Sequence, residues 1–115
     1  MTATIESGLR WESACPVDRL MPERGVAVLL GDQQVAVFLV HDGSVHAIGN
    51  IDPFSGAAVL SRGLVGDRAG VPTVASPVYK QVFDLRTGRC LDDPAVSVPV
   101  YAVRVRGGTL QIGLP

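Results

Sequence analysis

"VASPVYKQVFDLRTGRC", residues 74–90, is the stretch on which the reading of this chain turns. A strand-like run ends in Ser76-Pro77-Val78-Tyr79, and the chain resumes as Phe83-Asp84-Leu85-Arg86-Thr87-Gly88. Strand, tight loop and return make the frame of a metal-binding loop. A serine and a tyrosine stand where ligands would be expected, so the surroundings must show what the frame holds.

Working outward, those surroundings have β character. "GVAVLLG" (25–31) and "QQVAVFLV" (33–40) read as strands. "HDG" (41–43) is tight-turn chemistry in which Asp42-Gly43 can supply positive φ, and "SVHAIG" (44–49) returns as a third strand. Val35 to Val40 is apolar at nearly every position, which predicts a strand covered on both faces. In "VPVYAVRVRGG" (98–108), Tyr101, Val103 and Val105 alternate with Ala102, Arg104 and Arg106, so one face is expected to meet a core. Gly107-Gly108 turns the chain, and "TLQIGL" (109–114) pairs back with Leu110 and Ile112 inward. "PVDRLMPE" (16–23) allows a helical turn or two between its prolines. From Asn50 to Pro72 no long alternation is visible; a connection of that length is either functional or hides an element. Its place ahead of residues 76–79 predicts two loops side by side at one end of a β-scaffold.

Composition narrows the function. The 115 residues are 47% hydrophobic with a net charge of −1, which fits one domain over residues 1–115 and gives no electrostatic reason for a nucleic-acid or anionic-membrane partner. No apolar run approaches the roughly 20 residues of a membrane span. "MTATIESGLRWESA" (1–14) lacks the basic start and apolar stretch of a secretory signal, so the expected location is the cytoplasm. Cys15 and Cys90 form no CxxC or CxxH pair and read as small buried hydrophobes. Asp52, Ser76, Tyr79 and Lys80 are chemically capable. A nucleophile needs a positioned base, however, and His41 and His46 read as exposed turn residues of the earlier hairpin. "GDRAG" (66–70) reads as a surface loop, since no glycine-rich loop leads from a strand into a helix. Catalysis by this chain alone is not expected.

Two loops together carry a resemblance. The first is Asn50-Ile51-Asp52-Pro53-Phe54, followed by "LSRG" (60–63); the second is Ser76-Pro77-Val78-Tyr79, followed by "FDLRTG" (83–88). They resemble the Rieske iron–sulfur fold, whose loops carry Cys-x-His and Cys-x-x-His. The resemblance implies an all-β antiparallel sandwich or barrel, with both loops at one end where a [2Fe–2S] cluster would sit. Such a centre takes two thiolates on one iron and two imidazoles on the other. Here Asp52 and Phe54 occupy the first Cys and His positions, and Ser76 and Tyr79 the second pair. These side chains are poor ligands for a soft cluster, so no cofactor or metal is expected in this chain. Phe54 and Tyr79 are expected to fill the gap with aromatic area, and Asp52 and Ser76 to hydrogen-bond one another or the loop amides.

"DPFSGA", "LSRGLVGD", "SPVYKQVFDLRTGRCLDDP" and "PVYAVRV" extend the likeness over most of the chain. They are similar to the small subunit of assimilatory NAD(P)H-dependent nitrite reductase. That resemblance implies a non-catalytic accessory subunit in nitrogen metabolism. Its partner, the large subunit, would carry FAD, a [4Fe–4S] cluster and sirohaem and reduce nitrite to ammonia. The alternatives are a cluster-free Rieske-like binding module of another oxidoreductase, or a Rieske-type electron carrier. If the loops face a partner, Arg62, Asp67, Arg68, Lys80 and Gln81 are the expected polar contacts.

Overall fold

The computed structural model describes residues 8–115. Nine strands form two antiparallel sheets: β1 Arg10–Pro16, β2 Gly25–Leu30, β3 Gln33–Leu39, β4 Val45–Gly49, β5 Leu64–Arg68, β6 Val71–Ala75, β7 Val82–Asp84, β8 Val100–Arg106 and β9 Thr109–Leu114. The larger sheet runs β1-β9-β8-β4-β3-β2 and curls so that its edge strands β1 and β2 approach one another. The smaller sheet, β5-β6-β7, carries the 76–79 loop. Among the described residues, helical structure is confined to 3-10 turns over Val17–Arg19 and Leu60–Arg62. Among the described residues no helix is long and apolar enough to cross a membrane.

Strand β3 explains its own composition. Val35, Ala36, Val37 and Phe38 are fully buried, because the strand divides two cores. Ala36, Phe38 and Val40 face one core with Ile48, Leu60, Val74, Phe83, Leu85, Cys90 and Val98. Val35 and Val37 face the other with Leu20, Leu30, Ala47, Leu110, Ile112 and Leu114. Since side chains alternate along a strand, a strand between two cores must be apolar at every position. Burying each large side chain is worth about 1.5–3 kcal/mol. The first core lies under the two loops.

The expected hairpins are present: β2 pairs with β3, β3 with β4, and β8 with β9. Several expectations are corrected. The 50–72 connection hides β5, which was illegible because only Val65 of "LVGDR" packs on a core while its neighbours are exposed. "GDRAG" is not all loop: Gly66, Asp67 and Arg68 end β5, and Ala69 and Gly70, both at positive φ, make the β5–β6 turn. β1 was missed too; it is a sheet edge with no fully buried residue to announce it. Val105 is half exposed beside the Gly107-Gly108 turn, whereas Tyr101 and Val103 do pack on the second core. Cys90 is buried as expected, but Cys15 is only partly covered.

Candidate functional site

Three loops share one construction. In each, an anchor residue uses its side-chain oxygen, carbonyl and amide on residues two, four and five further on. Asp52 accepts the Phe54 amide on Oδ1 (2.8 Å). Its carbonyl accepts the Gly56 amide (2.7 Å), and its own amide donates to the Ala57 carbonyl (2.8 Å). Ser76 repeats the set: Oγ accepts the Val78 amide (3.3 Å), its carbonyl accepts the Lys80 amide (3.1 Å), and its amide donates to the Gln81 carbonyl (2.9 Å). Asp84 repeats it with Arg86, Gly88 and Arg89, at 2.8, 2.8 and 2.9 Å. The fifth residue of each loop has positive φ: Gly56 (76°), Lys80 (65°) and Gly88 (77°). Short polar side chains favour such turns because they satisfy a nearby amide, and glycine suits the left-handed position.

The first two loops face each other. Ser76 Oγ donates to Asp52 Oδ2 at 2.5 Å, and both residues are wholly buried. That length is typical of a hydroxyl donating to a carboxylate. One side chain from each loop therefore ties the two together directly. Phe54 lies against Phe83 with ring centroids 6.3 Å apart and packs on the first core. Phe54 is thus turned inward. Tyr79 is not: the ring is 60% exposed and fills no gap. Its place in the sequence of a Cys-x-x-His loop puts it past the tip, where the side chain points to solvent.

Supporting residues complete the site. Asn50 is buried; its Oδ1 accepts the Ser61 amide (2.7 Å) and its carbonyl the Leu60 amide (3.0 Å), bracing the first loop against the 3-10 turn. Gly63 lets that turn lie on β6, since a Cβ there would collide with the Ala75 carbonyl oxygen. Burial alone would raise the Asp84 carboxyl, but hydrogen bonds from the Arg86 amide and guanidinium outweigh it and hold the group below the ordinary carboxylate value.

The proposed polar contacts are not one cluster. Arg62 and Lys80 are exposed near the loops, and Asp67 and Arg68 sit at the far end of the β5–β6 hairpin. Asp67 accepts the Gly70 amide in the turn, and Arg68 approaches Asp92 at 3.6 Å. Gln81 is half-buried, with Oε1 enclosed and without a hydrogen-bond donor among the described residues. His41 is exposed as expected. His46 is not a turn residue: it lies half-buried on β4 with Nε2 3.0 Å from Ser44 Oγ, and burial lowers its basicity against the opposing pull of Asp42 and Asp84. Among the described residues no three His, Cys, Asp or Glu side chains converge to hold a metal.

Residues 10–113 match the family model described as a Rieske-like [2Fe-2S] domain. The chain belongs to the Rieske-like [2Fe–2S] domain family. Within it, the chain is 47% identical over 104 residues to the nitrite reductase (NADH) small subunit of Escherichia coli K12, covering 90% of this chain and 96% of that one. A crystal structure of a nitrite reductase small subunit from Mycobacterium tuberculosis, described there as NADH-dependent and not yet established, superposes with a TM-score of 0.89 at 59% identity, covering 93% and 96% of the two chains. The nitrite reductase [NAD(P)H] large subunit of Klebsiella oxytoca contains a 41% identical stretch of 103 residues, which covers 90% of this chain and 11% of that longer protein. The family's usual cluster does not suit the residues here. Asp52 and Ser76 spend their oxygens on each other and on loop amides, Phe54 has no donor atom, and Tyr79 faces outward. Four soft donors are not offered.

Proposed function

We propose that this chain is the small subunit of an NAD(P)H-dependent nitrite reductase, a single cytoplasmic domain that binds no iron–sulfur cluster and is not catalytic by itself. The nitrite-to-ammonia chemistry of nitrate assimilation, with FAD, a [4Fe–4S] cluster and sirohaem, is assigned to the large subunit. The observation that carries this reading is the end-to-end similarity to small subunits, joined to the Klebsiella oxytoca large subunit, in which a similar stretch is part of the large chain itself. A domain found both separate and fused is one that works in contact with its partner. The third loop, anchored by Asp84, supports the cluster-free part of the reading. It holds the same turn with none of the ligand positions, so this loop geometry stands on hydrogen bonds alone.

Arg62, Asp67, Arg68, Lys80 and Gln81 are proposed to include contacts to that partner. The test is to mix the purified chain with a nitrite reductase large subunit and run the mixture over a sizing column. Co-elution, with NADH- or NADPH-dependent nitrite reduction raised above that of the large subunit alone, is the expected result. Separate elution and unchanged activity would remove the subunit assignment.

A further inference from the structure

The loop end carries an exposed apolar group that the fold does not use. Leu64, Val78 and Tyr79 are 78%, 43% and 60% exposed. Val78 and Tyr79 belong to the second loop. Leu64 pairs across β5–β6 with Ala75, the residue before the second anchor, so all three lie about the root of that loop. The other large exposed apolar side chains lie elsewhere: Ile51 borders a cleft with Pro99 and Tyr101, Val100 and Val105 are on β8, Leu29 is on β2, and Met21 precedes β2. Scattered apolar residues are ordinary on a protein surface, whereas a group of them on rigid loops marks a contact site.

Charge qualifies what would fit. Arg62 and Lys80 are exposed beside this group, and neither makes an ion pair among the described residues. Arg68 and Arg86, by contrast, are paired with Asp92 and Asp84. The loops are also preorganised: every anchor group is already bonded within its own loop, so little ordering cost would accompany association.

We infer that Leu64, Val78 and Tyr79 form the centre of a docking surface, with Arg62 and Lys80 at its rim, for an apolar patch edged by carboxylates on the nitrite reductase large subunit. This rests on the functional reading above. It shifts the core of the contact from the polar residues to the apolar tip, where a tyrosine and a leucine can enter a partner's pocket.

The experiment measures affinity for the purified large subunit by titration calorimetry, with thermal melting of each variant as a folding control. Leu64→Ser and Tyr79→Ser are expected to melt with the parent protein and to bind at least ten-fold more weakly. Arg62→Glu should weaken binding most at low salt, as a rim charge does. Leu29→Ser and Val105→Ser, on other surfaces, should bind like the parent. Loop variants that fold and bind normally would overturn the inference while leaving the subunit reading in place, and a loss confined to Leu29→Ser or Val105→Ser would do the same. Failure of the parent chain to bind the large subunit would overturn both.

Discussion

Ser76→Ala should be among the most costly single-atom deletions in this protein. The hydroxyl donates to Asp52 Oδ2 at 2.5 Å in a fully buried position, and it accepts the Val78 amide at 3.3 Å. Its removal leaves a buried carboxylate oxygen without a donor. Hydrogen bonds to charged groups contribute about 1.5–3 kcal/mol, and the longer amide contact adds little. A loss of roughly 2–3 kcal/mol follows, or about 8–12 °C in Tm for a domain of this size. Asp52→Ala should cost at least as much, since it strands both the Ser76 hydroxyl and the Phe54 amide. The decisive comparison is the double variant. If the two side chains act as one cross-link between the loops, removing both should cost less than the two single losses added together, by about 1.5–3 kcal/mol. Urea unfolding of the four proteins gives the number. Additive losses, with a coupling below about 0.5 kcal/mol, would refute the idea that this pair joins the loops.

Three further outcomes can be checked. Phe54→Ala, which removes a ring packed on Phe83 and the first core, should cost about 2–3 kcal/mol, while Tyr79→Ala should change stability by less than about 0.5 kcal/mol; denaturant melts of both variants separate them. Lys80 occupies the left-handed position that Gly56 and Gly88 fill in the sister loops, so Lys80→Gly should raise stability by up to about 1 kcal/mol, and Gly56→Ala should lower it by about 1 kcal/mol, both read from urea midpoints. His46 is held below its ordinary value in the fold, chiefly by burial, so the unfolded chain takes up the proton first. Its contribution is therefore full above about pH 6.5 and is lost as pH falls toward the folded value. Tm measured from pH 7.5 to 5 should fall less steeply in His46→Gln than in the parent, and identical slopes would exclude the histidine as a source.

The hairpins of β2–β3–β4 and β8–β9 were legible because their residues alternate or run apolar between clear turns. The loop end was legible for a different reason: Asp52-Pro53 and Ser76-Pro77 keep the spacing of ligand loops while offering no ligands. What escaped was the structure that depends on partners distant in sequence. β1 and β5 are edge strands with few inward residues, so their pattern carries little signal until β9 and β6 are placed beside them. The threefold repeat of the turn was partly written in the sequence, since Asp52-Pro-Phe-Ser-Gly and Asp84-Leu-Arg-Thr-Gly share a carboxylate and a glycine four residues on. The second loop hides it by using Ser76 and Lys80 at those positions. Tyr79 could not be placed by residue type, because an aromatic ring fits a gap or a docking surface equally well, and only the loop's path decides.

The central claim is that protein contacts, rather than an iron–sulfur cluster, close these two loops. It is tested most directly by measuring iron and acid-labile sulfide in the chain purified anaerobically from cells that build clusters normally. The account expects a colourless protein with neither element in stoichiometric amount, folded and melting cooperatively. Two irons and two sulfides per chain, with visible absorption that bleaches on reduction, would contradict it.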